Sequence, residues 1–522
     1  MIERRESRES IIDNWMGIDL GTIYSCIGII RKEQIDVVAD KADGTRIIPS
    51  MVCYKDKKWL YGNSAKNNMI EYAKSTMFES KRLIGLKYNN KEVQRDIINW
   101  PVKKIEDPIT KKPQYAIKVD NKEKTFFPED VSSMILKYLK QNAETYTNSK
   151  INKAVITVPA HFNNFQREAT IKAAELAGLE VMRIINEPTA AAIAYAETIN
   201  TDAKEKKVLI FDIGGGTFDV SILKIKNNEY YVLSSCGVSH LGGEDFNQRL
   251  VEYVIKEIKK KPEFKDIDLD NKSDPKILKA LKRLRIEVEN VKLELSRETE
   301  ASFFLDTFYN GEDFKLTIQR KTYEKLCKDL WDKCIVKIEE ALKLANLKKE
   351  NIDEIILVGG SVRTPKIQEM VKNYFGKEPL QNVNVEEVVA IGATIAPQLD
   401  LKIHDIITKR IGIEIENGKM STIFHVGTVL PVKNKPLRYS RIFEIGGNNP
   451  STKQVIKIYE GNEPIARNNT FLGKFTLELD KNQKKKKITI LMELDHNSIL
   501  KVIGKINDEK NNEITIKREL EG

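Results

Sequence analysis

Two stretches of this chain, 193 residues apart, spell the same small device: an apolar strand ending in aspartate, a glycine turn, a threonine and a second strand. The first reads Met16-Gly17-Ile18-Asp19-Leu20-Gly21-Thr22 and the second Ile210-Phe211-Asp212-Ile213-Gly214-Gly215-Gly216-Thr217-Phe218-Asp219. Glycine at such a turn allows positive φ and lets backbone N–H groups approach an anion, so these turns suit phosphates. The flanking runs, Ser25 to Ile30 and Val220 to Leu223, are apolar or β-branched, which makes both devices hairpins. A Walker loop is excluded, because it needs Gly-Lys-Ser/Thr opening a helix. A duplicated phosphate hairpin fits a cleft between two similar α/β lobes, each offering one loop to a polyphosphate, with metal and acidic groups between them. Asp19, Asp212 and Asp219 supply carboxylates. Magnesium dehydrates reluctantly, so Asp19 and Asp212 are expected to hold it largely through water.

With 522 residues the chain has room for roughly three or four units of ordinary domain size. Five cysteines form no Cys-x-x-Cys pair, and Cys327 and Cys334, seven apart in a helical pattern, read as helix-face residues. That points to a reducing compartment without zinc. The net charge is +10, but acids and bases alternate along most of the chain, so nucleic acid is not an expected partner. The densest basic run, Lys481 to Lys487, sits between two strand patterns and reads first as a solvated turn. No apolar stretch reaches the roughly 18 residues of a membrane span. The first 15 residues mix glutamates with arginines and resemble neither a secretory signal nor a transit peptide, so the expected compartment is the cytoplasm.

Strand and helix patterns alternate from about Asp13 to Gln398, and only strand patterns follow from about Thr408. The expected organisation is a disordered tail (1–13), an α/β domain (14–398), a linker (399–407) and an all-β sandwich (408–522). Within the α/β part, helices are expected after Pro128, from Asn164 to Ala177, near Pro188, from about Asp274 to Arg297 and from Tyr323 to Asn346. The last 115 residues alternate with period two, as in Val455-Ile456-Lys457-Ile458-Tyr459, and predict seven or eight short strands.

Several blocks carry a resemblance. Gly17 to Thr22, Lys81-Arg82-Leu83-Ile84-Gly85, Val158-Pro159-Ala160, Ile184-Ile185-Asn186-Glu187-Pro188-Thr189-Ala190, the Asp212 segment, Leu241-Gly242-Gly243-Glu244-Asp245-Phe246 and Val358-Gly359-Gly360-Ser361 closely resemble, in order and spacing, the seventy-kilodalton heat-shock chaperone family. The resemblance implies an actin-like, sugar-kinase-like ATPase fold followed by a peptide-binding β-sandwich. It further implies ATP and ADP, magnesium and potassium as cofactors, and slow magnesium-dependent ATP hydrolysis in protein folding and the stress response.

By this resemblance Lys81 holds the γ-phosphate and the attacking water, whereas from the residues alone it is by default a surface lysine. Glu187, Asp212, Asp219 and Thr217 complete the catalytic set, although Glu187 alone reads as a helix-start carboxylate. Asp19, Gly21, Thr22, Ile23, Tyr24, Gly214, Gly215 and Gly216 would wrap the phosphates. Gly242, Gly243, Glu244, Glu289, Lys292, Ser296, Gly359, Gly360, Ser361, Arg363 and Glu386 would form the adenosine side. Glu289, Lys292 and Ser296 are three and four apart and share one helix face. Pro159, Arg167 and Arg183 resemble residues that couple nucleotide state to the partner domain, Arg183 also receiving a J-domain co-chaperone, and a nucleotide-exchange factor is a further implied partner. Ile413, Phe443 and Ile456 would line a channel for extended apolar segments of unfolded proteins. The plain alternative for these three is core packing.

The chain also departs from the family pattern. Ile23 replaces a threonine, Leu293 an arginine against adenine, and Glu386 an aspartate. Lys402 and His404 interrupt an otherwise apolar linker, which puts interdomain coupling in question. Glu416 and Gln454 stand where the family places apolar groups. No helical lid follows Leu520, so fast, weak client exchange is expected. Two rivals remain: a non-hydrolysing or weakly hydrolysing ATP-binding regulator of the nucleotide-exchange type, and a small-molecule kinase on the same duplicated scaffold.

Overall fold

Each glycine device is the tip of an antiparallel hairpin set inside its own sheet. Trp15–Asp19 pairs antiparallel with Tyr24–Arg31, Asp19 opposite Cys26, and parallel on its other side with Lys153–Val158. Lys206–Ile213 pairs antiparallel with Phe218–Lys226, Asp212 opposite Asp219, and parallel with Glu354–Val358. The same local plan thus occurs twice, once in a six-stranded sheet and once in a five-stranded one. The computed structural model describes residues 15–515 apart from 33, 99, 199–204, 228, 270, 272–273, 381–383, 398–401, 432–434, 446–452, 479–485 and 507–512. The 1–13 tail and the start of the 399–407 linker therefore lie outside the described residues.

Two helices tie the sheets together. Glu187–Thr198 follows a strand of the first sheet and packs on the second hairpin, while Val388–Ile395 packs on the first hairpin and crosses its counterpart. Small residues make the crossing possible: a Cβ on Gly392 would lie 1.8 Å from the Ala190 carbonyl oxygen, and one on Gly17 would lie 2.3 Å from Thr394 Oγ1. The seam is apolar, with Val155, Ala191, Ile193, Ile210 and Val388 in one buried cluster. Alanine and glycine here act through proximity, letting two backbones bring both hairpin tips to one cleft.

The expected helix from Tyr323 to Asn346 is in fact two, Arg320–Leu326 and Lys328–Leu344. The break falls at Cys327, whose φ of −98° and ψ of 8° leave the helical region. The Trp331 indole N–H donates to the Glu324 carbonyl at 3.1 Å, satisfying an oxygen near the break. Cys327 and Cys334 are both buried in the same core, as helix-face residues should be.

Among the described residues no α-helix follows Ile395. Eight strands form two antiparallel four-stranded sheets, and Ile411, Ile423, Ile458 and Leu472 of one share a core with Ile490, Met492 and Leu494 of the other. Ile413 and Ile456 are 3% and 7% exposed and belong to that core, so in this structure they pack rather than line an open channel. The Phe443 and Gln454 side chains lie outside what is described, and Glu416 is exposed. This all-strand part is seated on the first lobe: Asn164 N donates to Glu460 Oε2 at 3.0 Å, and Ile184 N to Asn497 Oδ1 at 2.9 Å. Among the described residues no helix is long and apolar enough to cross a membrane.

The helix crossing leaves no space for a methyl group. Gly392→Ala is expected to lower stability by roughly 1–3 kcal/mol, as overpacked cores do, measured by urea unfolding. Wild-type stability would show that the crossing is looser than described.

Candidate functional site

The two hairpin tips open on one cleft of about 1450 Å³. Asp19, Gly21, Thr22, Ile23, Tyr24, Lys81 and Glu187 line it from the first lobe, and Asp212, Gly214, Gly215 and Thr217 from the second. Gly243, Glu244, Glu289, Lys292, Ser296, Gly359, Gly360, Ser361, Arg363 and Glu386 line the far side. Gly216 and Gly242 pack behind the second tip, where a Cβ on Gly242 would fall 2.6 Å from Gly216 N. The tip itself is laced to a helix start, since Gly243 N donates to Gly214 O and Glu244 N to Gly215 O, each at 2.9 Å. Ser361 Oγ also donates to Gly214 O at 2.9 Å. A Cβ built on Gly214 meets nothing within 4 Å, so this glycine borders open space. The hairpins touch through Ile23, whose Cγ1 would sit 2.3 Å from a Cβ on Gly215. The isoleucine thus closes apolar contact between the lobes where a hydroxyl was expected.

Charge dominates the floor of the cleft. Lys81 Nζ donates to Glu187 Oε1 at 2.5 Å, both side chains being more than nine-tenths buried. Glu187 is also the first residue of its helix, so the helix-start reading and the lysine-partner reading both hold. Thr157 Oγ1 donates to Asp19 Oδ1 at 3.3 Å. Burial, with Glu187 next, pushes the Asp19 carboxyl up to about 7. Burial also raises Glu187, and raises Asp212 well above the carboxylate range with help from Glu187, Asp219 and Asp19. Four carboxylates therefore crowd one ammonium in a desolvated space, an arrangement that suits a cation. Among the described residues no three His, Cys, Asp or Glu groups stand close enough to ligate a metal directly. Asp19 and Asp212, lining the same cleft from the two lobes, would suit a hydrated dication held through its waters.

Around this floor the expected residues keep one another in place. Lys66 Nζ donates to the Tyr24 hydroxyl at 2.7 Å, that hydroxyl donates to Glu289 Oε1 at 3.2 Å, and Lys66 lies 3.4 Å from Glu289, so the cleft is bridged from lobe to lobe. Lys292 Nζ donates to the Gly243 carbonyl at 3.0 Å, and burial lowers its pKa. Arg363 pairs with Glu386 at 2.8 Å. Leu293 lines the cleft at 53% exposure and presents no ring or guanidinium for stacking.

Sequence reasoning missed two groups. Asp219 is 1% exposed and does not line the cleft; its Oδ1 is 2.8 Å from Nδ1 of His161, a buried histidine just after the Val158-Pro159-Ala160 block. Buried Arg82, next to Lys81, stands 3.0 Å from Glu79, 3.6 Å from Asp96 and 3.6 Å from Asp245 of the other lobe. The only sequence signals were a lone histidine and a second cation, and neither residue type is specific.

The Pro159 loop also reaches the all-strand part. Arg167 donates to Asn186 Oδ1 at 2.7 Å and to the Ala160 carbonyl at 3.4 Å, and Thr408 Oγ1 donates to that same carbonyl at 3.2 Å. Asn186 Nδ2 donates to Asp405 Oδ2 at 2.8 Å, and Arg167 and Arg183 both act electrostatically on Asp405. The linker is not a bare tether. Lys402–His404 joins the second sheet as a parallel strand beside Glu229–Val238. Its two polar residues, expected to disturb coupling, have partners made for them. Lys402 Nζ donates to Glu229 Oε1 at 2.8 Å, and the His404 ring stacks on Tyr231 with centroids 4.3 Å apart.

The family model described as Hsp70 protein matches residues 15–521.

Two outcomes follow from these charges. A raised carboxyl binds its proton more tightly folded than unfolded, so the stabilisation from Asp19 is present below about pH 4 and is lost as the pH climbs through about 7. Asp19→Asn should therefore raise the thermal midpoint of nucleotide-free protein at pH 8 by about 2 °C or more and leave it nearly unchanged at pH 4. An equal effect at both pH values would contradict the crowding. Glu229→Lys should speed protease cleavage near residue 402, and the added change Lys402→Glu should slow it again; a double variant cut as fast as the single one would remove the linker ion pair.

Proposed function

The chain belongs to the Hsp70 family, and from that membership we propose that it is an ATP-dependent molecular chaperone, whose ATP hydrolysis in the 14–398 domain regulates binding of extended apolar segments by the 408–522 β-sandwich. The observation that carries this reading is the buried Lys81–Glu187 pair facing Asp19 and Asp212 across a cleft closed by twin glycine hairpins. Family members are ATPases, and no hydroxyl acceptor needs to be invoked when the adjoining unit is all strand.

In this reading the glycine tips at Gly21 to Thr22 and Gly214 to Thr217 cradle the phosphates with backbone N–H groups. Asp19 and Asp212 would hold a nucleotide-bound magnesium through its waters, and that ion would supply charge neutralisation to the phosphates. Lys81 stabilises negative charge that develops on the transferred phosphoryl group. Glu187 fixes the lysine in that position. With Glu187, Asp212 helps position the attacking water at the floor of the cleft. Glu289, Lys292, Ser296 and Arg363 position the adenosine side, and the acidic floor would also suit potassium. Arg183, beside the linker's Asp405, is the docking point for a J-domain co-chaperone. A nucleotide-exchange factor would act by parting the Lys66–Glu289 bridge.

A second reading, ATP as a structural ligand of a regulator, draws support from Ile23 and Leu293, which remove a phosphate-side hydroxyl and an adenine-side stack. Single-turnover hydrolysis with and without magnesium separates the two. Lys81→Ala should bind ATP within a few-fold of wild type yet hydrolyse it about 100-fold or more slowly, the usual scale for losing one preorganised charge. Wild-type turnover in that variant would remove Lys81 from the mechanism.

A further inference from the structure

We propose that His240 is a proton-operated latch between the two lobes: with its ring protonated it clamps the Gly242–Gly243 turn of the second lobe to the helix Lys91–Ile97 of the first, and on losing that proton it lets the cleft open. What the latch keeps in the cleft rests on the ATP-binding reading above. His240 lies between the strand Glu229–Val238 and the helix Gly243–Lys259, and its side chain is 6% exposed. Across the gap between the lobes its Nε2 is 2.7 Å from Asp96 Oδ2, and its Nδ1 stands 3.6 Å from Glu92 Oε1. Glu92 and Asp96 are four apart and share one helix face. That helix start is held by the Asn90 side chain, which accepts from Glu92 N and Val93 N.

The ring has a place for a second proton. An ionised carboxylate only accepts, so Nε2 carries a hydrogen toward Asp96. A neutral ring then turns the lone pair of Nδ1 toward the Glu92 carboxylate, and this Nδ1 is buried with no hydrogen-bond partner among the described residues. Protonation replaces that opposition with an N–H facing a carboxylate.

The surrounding charge favours the proton as well. Asp96 Oδ1 lies 3.6 Å from Nη1 of buried Arg82, whose Nη2 is 3.6 Å from Asp245 and whose Nε is 3.0 Å from Glu79. Four carboxylates, Glu79, Glu92, Asp96 and Asp245, thus share one buried guanidinium. Arg95, 3.9 Å from Asp96, is 59% exposed and screened by solvent. Further out, Glu244 acts on Arg82 and stands 3.9 Å from Arg285, and His161 acts on Glu92. The imidazolium is the second positive charge that this cluster lacks. Burial works against it most strongly, yet Asp96 and Glu92 outweigh burial and raise the His240 pKa above 6.5.

The clamp acts on the turn that supports the second glycine tip. Asp245 Oδ2, the oxygen facing Arg82, accepts from Gly242 N at 2.9 Å, and Gly243 N and Glu244 N hold the Gly214 and Gly215 carbonyls. The latch is complete below about pH 6.5 and is lost as the pH rises through the raised His240 value.

Release of a fluorescent ADP, followed on the full chain between about pH 6 and pH 8.5, tests this. Glutamine in place of the histidine keeps a donor for Asp96 but takes up no proton. The acids of the cleft floor titrate alike in both proteins, so the ratio of their rates isolates the ring. Wild type should hold ADP roughly five- to ten-fold longer than His240→Gln at pH 6, and the two rates should converge by about pH 8.5. Glu92→Gln should move that convergence to lower pH. A ratio that is the same at every pH, or a Glu92→Gln profile that coincides with wild type, overturns the latch. Spin labels at Lys124→Cys and Lys256→Cys, exposed positions of the two lobes, in a Cys236→Ser background, read the motion without nucleotide. Their separation should lengthen from pH 6 to pH 8.5 and be long at both in His240→Gln. An unchanged separation overturns the latch, whereas that lengthening without any ADP binding overturns only the ATP-binding reading.

Discussion

The structure depends on one electrostatic problem: Asp19, Glu187 and Asp212 line a desolvated cleft with a single ammonium, Lys81, in contact with one of them, while buried Asp219 acts on Asp212 from outside the lining. Like charges at that range and burial raise three of these carboxyls, which is a cost the fold meets only where something else compensates. The surroundings are built to hold the set in place. Twin hairpins present Asp19 and Asp212 from opposite lobes, the crossing helices keep the lobes in register, and glycine lets the helix backbones come within contact distance. A cation with its water shell, together with an anion that needs glycine amides, is the ligand chemistry that relieves the crowding.

The same residues connect outward. Asp219 is held by His161, the adjoining Ala160 carbonyl receives Arg167 and Thr408, and Arg167 and Asn186 lead to Asp405 of the linker. A short, buried, hydrogen-bonded route thus joins the floor of the cleft to the seat of the all-strand part. Such continuity is a spatial fact, and coupling becomes a physical claim only with a two-state element that both ends bias. The docked strand Lys402–His404 is the candidate element. It is short, and the Lys402–Glu229 ion pair and the His404–Tyr231 ring stack hold it together with its sheet hydrogen bonds.

Much of this was legible in the sequence, for identifiable reasons. Two Asp-Gly-Thr devices at matched strand ends fixed the duplicated hairpins, because glycine, aspartate and β-branched runs each carry local meaning. The strand-only alternation after Thr408 likewise predicted seven or eight strands, and eight stand among the described residues. What stayed hidden was tertiary. Lys402 and His404 looked disruptive because their partners, Glu229 and Tyr231, lie more than 170 residues away in sequence and have no local signature. His161 and Arg82 were unremarkable as residue types, and only the fold shows what they face. Ile413 and Ile456 illustrate the converse: apolar residues on a period-two strand fit a channel or a core equally well, and burial alone decides.

The most direct test of the central claim is hydrogen exchange at the amides of Lys402 to His404, compared between ADP and a non-hydrolysable ATP analogue. Relief of crowding at the cleft must be felt along the His161, Ala160 and Asp405 route, so the account predicts that protection of this strand changes by about ten-fold or more between the two nucleotides. Identical protection in both states, with both nucleotides bound, would contradict it.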